Sequence, residues 1–447
     1  MPGAPGACHS TRVSHASGGM LATLPHYQSL ARLAPSVWRL NPPGLAPEAV
    51  AAFLRHALPP DESVFQGVRR VPGALPRVRR SEGTPETRED EDRLAERLVA
   101  ALADSVGKHL AAGAVDVSLS GGVDSAALCA LAARQAPGRV RAWTMDVHFA
   151  DATERRNART VANTAGVELV DVSVPDAVLP ELFEPAVLSQ ETAILNARAV
   201  ASHAFYAEAR RQGASTLLSG AGADEVLMGN PAAFAGAAAR VTEDRRLVHK
   251  VLHPGPVDNL GVDLRVLRLP WDAELASGDE DHPEEVRYAA WVLWELVLPP
   301  ELRGASAHGV NVCTPYLDAD FADVALGLPL GVLARHGAGK WLFRHAVRTL
   351  VPDEVRLARK TPRYAHTALS SPVRARWLEL YREWLTPARL APLECIDAGA
   401  TRALLERYAR LAADAPEASA MDRLLMRLCS LAMLHAHASA RPPCPES

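Results

Sequence analysis

Ser120-Gly121-Gly122-Val123-Asp124-Ser125 is the segment of this chain whose residue types and order point most directly to chemistry. Two adjacent glycines let the backbone approach a ligand closely, and two serines offer hydroxyl donors. The run before it, Val115-Asp116-Val117-Ser118-Leu119, alternates like a buried strand. The run after it, 126–133, is almost wholly Ala, Leu and Cys, as in a helix packed against a sheet. A helix that opens straight after such a loop presents free N–H groups and partial positive charge, which suits a polyphosphate. Asp124 is unusual in that company, because a carboxylate beside phosphates needs a cation between them, most simply Mg²⁺. The loop lacks the lysine followed by Ser or Thr of the Walker loop, so this is another class of phosphate site.

Later segments narrow the class. Thr216-Leu217-Leu218 reads as a strand end and is followed by Ser219-Gly220-Ala221-Gly222-Ala223-Asp224-Glu225, then Gly229. Thr314-Pro315-Tyr316-Leu317-Asp318 precedes Phe321 and Val324-Ala325. Lys340-x-x-x-Arg344, Pro352-Asp353-Glu354-Val355 and Arg359-Lys360 come after. The hexapeptide resembles the pyrophosphate loop of the ATP pyrophosphatases, which cleave ATP between the α and β phosphates. The full set, in this order over residues 90–370, resembles the synthetase domain of the asparagine synthetases. That branch also holds the β-lactam synthetases and the lasso-peptide cyclases.

The resemblance implies that a carboxylate attacks the α-phosphorus of ATP, giving an acyl-adenylate and pyrophosphate, and that an amine then displaces AMP. It implies ATP and Mg²⁺ as cofactors. Ser120, Gly121, Gly122 and Ser125 would cradle the pyrophosphate, and Ser219 and Gly220 would border the adenosine. Asp124 and Asp224 would hold Mg²⁺, and Lys360 would stabilise charge at the α-phosphate. Lys340 and Arg344, one helical turn apart, could contact phosphate together; a solvated basic face is the alternative for them and for Arg348 and Arg356. Asp318 is expected to cap or orient backbone rather than react. One position departs from the family: Ala221 stands where asparagine synthetases carry a glutamate and β-lactam synthetases a tyrosine that helps deprotonate the amine. Glu295, in the helical run 286–297, lies about where the β-lactam enzymes place the glutamate partner of that tyrosine, and is a candidate base or an ion-pair partner. Gln190 and Glu191 are read as facing the acyl substrate.

The elements that must position these residues alternate. Strands are expected at 139–145, 167–174 and 215–218, and helices at 94–110, 153–165 and 196–211. This predicts an α/β fold, a doubly wound parallel sheet of the adenine nucleotide α-hydrolase type, with both glycine segments at the carboxyl edge. A mainly helical part follows from about residue 230, with a loop at 258–284. Residues 1–19, rich in Gly, Ser, Ala and Pro, read as a disordered tail, with Met1 or Met20 as the start. Residues 20–80 read as a remnant of the glutaminase domain that precedes the synthetase domain in this family, since 63–73 resembles only its closing segment. A glutaminase of that kind needs a cysteine as first residue of the processed chain; residue 2 is Pro2 and the nearest cysteine is Cys8, so no glutaminase activity is expected. A charged linker over 81–93 then leads to a synthetase-like domain over 94–440.

Composition limits the partners. The 447 residues carry 52 acidic against 48 basic side chains, so there is no basic footprint for nucleic acid. No apolar run approaches the roughly 18 residues that span a bilayer. Six cysteines (Cys8, Cys129, Cys313, Cys395, Cys429, Cys444) lack paired ligand spacing, and His249 with His253 lacks two further zinc ligands, so thiols in a reducing cytoplasm are expected. The expected substrates are a small-molecule or peptide carboxylate and an amine. Formation of a peptide macrolactam, as in lasso-peptide cyclases, is the first expectation, with a precursor peptide and a partner protease alongside. Ammonia-dependent asparagine synthesis, β-lactam-type closure and a non-catalytic nucleotide-binding partner domain are the alternatives.

Overall fold

Short strands of small and apolar residues, separated by helices with an apolar face, bury both faces only as a parallel sheet wrapped on two sides. The structure, a computed structural model, describes residues 22–25, 35–71, 85, 87–149, 152–254, 268–272, 282–335, 338–358 and 367–440. A short parallel pair, β1 (Ala22–Pro25) and β2 (Val68–Val71), lies in the N-terminal region. The main sheet contains β3 (Asp116–Ser118), β4 (Arg141–Asp146), β5 (Glu168–Ser173), β6 (Thr216–Leu218) and β7 (Asn311–Cys313). All five are parallel, in the order β5-β4-β3-β6-β7. The chain therefore winds outward from β3 to β5, then crosses back to lay β6 and β7 on the other side. Winding reverses between β3 and β6, the place where open α/β sheets bind ligands. Both glycine segments leave the sheet there.

In the N-terminal segment, α1 (Pro47–Leu54) buries Val50 and Leu54. The long α2 (Arg88–Ala111) starts earlier than its apolar stripe suggests. The Thr87 hydroxyl accepts from the Asp90 N–H at 3.1 Å, and Glu89, Asp90 and Glu91 complement the helix dipole. Residues 88–93, read as linker, are thus the first turns of a helix. Then α3 (Val123–Gln135), α4 (Ala152–Ala165), α5 (Phe183–Gln190) and α6 (Ala197–Arg211, capped by Asn196) cover the sheet. The run of alanines in α3 is almost fully buried, which lets the helix lie close against the strands.

The helical run expected to stop at 297 continues to Gly304. Glu284–Val292 is α-helical, whereas Leu293–Val297 and Pro299–Gly304 are π-helical turns. Pro299 and Pro300 carry no N–H, so an α-type ladder cannot pass through them, and the chain widens instead. Of the loop expected at 258–284, residues 268–272 are described and hold the turn Pro270–Asp272, with Trp271 buried, and residues 282–284 lead into the helix that starts at Glu284; residues 258–267 and 273–281, and the tail 1–19, lie outside the described residues.

The C-terminal part is helical and ends in the buried helix Ala418–Ser439. Within it Asp422 accepts from the hydroxyls of Tyr381 (2.8 Å) and Tyr408 (2.6 Å) and from the Ala368 N–H (3.2 Å). Burial raises its pKa to about 6. The segment 35–71 is built into this body: Trp38 Nε1 donates to Leu188 O at 2.9 Å, Arg427 to Phe53 O at 2.6 Å and Arg245 Nε to Arg55 O at 2.8 Å. Among the described residues no helix is long and apolar enough to cross a membrane, and no cluster of three metal-ligating side chains occurs, around His249 and His253 or elsewhere.

Candidate active site

The first loop is pre-formed by its own side chains. Gly121 has φ +82°, and a Cβ there would lie 1.9 Å from the carbonyl oxygen of Glu154, so only glycine lets the first turn of α4 close over the loop. The Ser120 N–H donates to Ser125 Oγ (3.1 Å), which donates to the Gly122 carbonyl (3.1 Å); the two hydroxyls are 3.1 Å apart. Residues 120–125 all line one cavity of about 430 Å³.

The second loop enters the same cavity from β6 and ends in α7 (Ala223–Val226). Ser219 is held on both sides: its N–H donates to Cys313 O at 2.8 Å and its hydroxyl donates to Glu301 Oε2 at 3.0 Å. The buried Tyr206 hydroxyl donates to the same oxygen at 2.7 Å; burial and then the Glu301 charge keep that phenol far from ionising. Ser219 Oγ in turn accepts from the Ala221 N–H at 3.2 Å. Glu301 escaped the sequence reading, because two prolines before it obscure the helical register that aims it at β6.

Between the loops sits Lys340. Its ammonium is 2.5 Å from Asp124 Oδ2 and 2.7 Å from Asp224 Oδ1, and the side chain is 3% exposed. Burial opposes the charge, yet the two carboxylates outweigh it and hold the pKa above the usual lysine value. The packing permits no extra atom. A Cβ on Gly229 would fall 2.0 Å from Asp224 Oδ1 and 2.3 Å from Lys340 Cε, and one on Gly339 would fall 2.4 Å from Met228 O. From behind, the Tyr316 hydroxyl donates to the Asp124 carbonyl at 2.9 Å.

The donor set suits a divalent ion. Asp124 Oδ1 is buried and has no hydrogen-bond partner among the described residues, while Oδ2 and the Asp224 carboxylate converge on one cation position. Two hard carboxylates next to a phosphate-type loop are what Mg²⁺ takes, with phosphate oxygens and water completing its shell.

The remaining expected residues divide. Arg344 lines the cavity, but its guanidinium donates to the carbonyls of Arg356, Ala358 (3.1 Å) and Gly339 (3.4 Å). Its place is to anchor the chain that leads to Arg359 and Lys360, which lie outside the described residues. A solvated basic face is excluded for Lys340 by its burial, whereas Arg348 and Arg356 pair with Asp92 (3.1 Å) and Asp353 (2.7 Å). Glu295 does line the cavity, with its carboxylate engaged by Arg70 of the N-terminal segment. Gln190 is buried on the cavity wall and donates to Ala199 O at 3.0 Å. Glu191, its neighbour, turns away: it takes a left-handed conformation after α5, and its carboxylate binds the Val37 N–H (2.8 Å), Ser36 and Arg303 (2.9 Å). It therefore does not face the acyl site. Asp318 does not cap a helix by its side chain; it binds Ser105 and His109 (2.9 Å) of α2 and, with Cys313, raises the His109 pKa to about 10.

Comparison with known proteins gives the family. The asparagine synthase family model matches residues 97–436, most of the chain. Relatives from Mycobacterium bovis and Mycobacterium tuberculosis named putative asparagine synthetase (glutamine-hydrolyzing) are 26% identical over 365 residues, covering 67% of this chain and 54% of theirs. The chain thus spans about half the length of the curated relatives it matches. It belongs to the asparagine synthase family, whose members carry out ATP-dependent amidation or ligation.

Proposed function

From that membership we propose that the protein is an ATP-dependent ligase that adenylates a carboxylate and passes the acyl group to an amine. The observation that carries the proposal is the meeting of Asp124, Asp224 and Lys340 between two glycine loops at the winding reversal. A carboxylate oxygen of the substrate bonds to the α-phosphorus as the bond to the bridging oxygen breaks and pyrophosphate leaves. The amine then bonds to the acyl carbon and AMP departs. Ser120, Gly121, Gly122 and Ser125 hold the departing pyrophosphate, Ser219 and Gly220 border the adenosine, and Glu301 fixes Ser219. Mg²⁺ held by Asp124 and Asp224 would neutralise charge on the phosphates. Lys340 supplies a buried positive charge beside the same loop, and Lys360 is assigned to the α-phosphate by family resemblance.

Deprotonation of the amine falls to something other than residue 221. Ala221 has no proton acceptor in its side chain, and the Glu295 carboxylate on the cavity wall is engaged by Arg70. That departure supports a specialised amide former, of which a peptide macrolactam is our first reading. The name of the mycobacterial relatives supports a second, asparagine formation.

ATP–pyrophosphate exchange with radiolabelled pyrophosphate tests the proposal, with Asp124→Ala as control. Exchange driven by a carboxylic acid and lost in the variant is expected. Silence with aspartate and with aspartate-containing peptides, in protein that still binds ATP, would leave only a nucleotide-binding role.

A further inference from the structure

We infer that the acyl substrate carries a bulky aromatic or branched apolar group, which lodges in a tryptophan-lined chamber opening off the nucleotide cavity. The inference rests on the adenylation proposed above for the same site and names the class of acid it takes.

The cavity runs from the phosphate-type loop to a wall of rings on the far side. Phe234 and Tyr288 lie 5.7 Å apart by ring centroid, Trp271 and Tyr288 4.9 Å, and Trp271 and Trp291 5.8 Å. These rings pack with Ala237, Val241 and Val292 as a cluster of their own, separate from the main core. Past Trp291 the space continues into a further chamber of about 90 Å³, which shares Trp271, Trp291, Glu295 and His56 with the first. The chain has eight tryptophans, and three of them, Trp271, Trp291 and Trp294, line this one chamber. Trp294 is 4% exposed, and its indole N–H has no acceptor among the described residues.

The far end is built by the N-terminal segment. Phe53 and His56 close it, and Arg70 reaches across to pair with Glu295. His56 lies 3.1 Å from Asp244 Oδ2, and burial, then Arg427, keep it neutral, with a pKa of about 4. At this end Arg70 is paired with Glu295 and Arg427 donates to Phe53 O, and the rest of the lining is mainly aromatic and apolar. Free aspartate brings an ammonium group and a second carboxylate close to the reacting one, and desolvating either against indole rings is unfavourable. A ring or branched chain placed several bonds from the reacting carboxylate gains from the same burial. Segment 35–71, which the adenylation chemistry does not use, acquires a role as the chamber's end wall.

The test uses the full chain and two matched pairs of acids, phenylalanyl-aspartate against glycyl-aspartate and aspartyl-phenylalanine amide against aspartyl-glycine amide. ATP–pyrophosphate exchange is measured for each, together with binding by equilibrium dialysis in the absence of ATP. At least one aromatic peptide is expected to exceed its glycine counterpart by about tenfold in both readouts. Trp291→Ala should cut that ratio about tenfold, and Trp291→Phe should keep most of it. Circular dichroism establishes that both variants are folded. Exchange that runs equally well with glycine and phenylalanine peptides overturns the chamber and leaves adenylation standing. Trp291-dependent binding of an aromatic peptide without any exchange supports the chamber and overturns adenylation. An aromatic preference that survives in folded Trp291→Ala overturns the chamber as well.

Discussion

Replacing Lys340 by methionine removes the ammonium that Asp124 and Asp224 share and leaves two carboxylates facing each other. Removing one partner of a fully buried ion pair destabilises a protein by about 3–5 kcal/mol. Here the carboxylate side chains are 22% and 32% exposed, so water takes up part of the stranded charge. We expect a loss of about 2–3 kcal/mol at pH 7.5 in EDTA, read from urea unfolding. The pKa of Lys340 is raised, so its contribution is fully present below the unfolded value of about 10.4 and fades only as pH rises through the folded one. The difference between wild type and variant should therefore be flat from pH 7 to 9. Millimolar Mg²⁺ should return part of the loss and stabilise the variant more than the wild type, because Lys340 no longer competes for the carboxylates. Adding Asp224→Asn to Lys340→Met should recover about 1 kcal/mol by relieving the like-charge contact. A variant within about 0.5 kcal/mol of wild type in EDTA, or one that gains no more from Mg²⁺, would refute the shared-cation geometry.

Three further outcomes follow from the same structure. Gly229→Ala places a methyl group 2.0 Å from Asp224 Oδ1 and 2.3 Å from Lys340 Cε, so it should lower exchange activity at least about tenfold while stability falls by about 1–3 kcal/mol. Glu301→Ala strips the acceptor from Tyr206 and Ser219 and should weaken ATP binding by calorimetry about tenfold, whereas Glu301→Gln, which keeps an acceptor oxygen, should lose less. Asp422 has a folded pKa raised to about 6, so the proton it binds in the fold stabilises below the unfolded value near 3.9, and that benefit is lost as pH rises through 6. Wild-type stability minus that of Asp422→Asn should fall by about 2 kcal/mol between pH 4 and pH 7 and then level off; a pH-independent difference in urea midpoints would contradict the assignment.

What the sequence displays and what it hides divide along one physical line. Gly121 and Gly222 are legible because their requirement is local: each sits at positive φ in a turn directly after a strand, and a side chain there would strike Glu154 or Leu317. Strands β3, β4 and β6 are legible because they alternate or run apolar over a few residues, and their alternation with helices predicts a parallel sheet with both loops at one edge. The start of α2 is less so, since an acidic run serves equally as a solvated linker or as the first turn of a capped helix, and only Thr87 distinguishes them. Gln190 and Glu191 mark the limit of adjacency. One residue beyond the helix, a left-handed turn sends Glu191 to Ser36 and Arg303 while Gln190 stays on the cavity wall. The rest of the site depends on groups that meet only after folding. Arg70 and Glu295 are 225 residues apart, and neither carries a local sign that it will find the other. Glu301 is hidden by the π-helical turns that aim it, because their period matches neither the 3.6 of a helix nor the 2 of a strand. Resemblance names the loops and the carboxylates, which make the shared chemistry. The wall of rings and the charge pairs across the cavity come from elements without any motif, so the features that would choose the substrate are the ones a motif cannot carry.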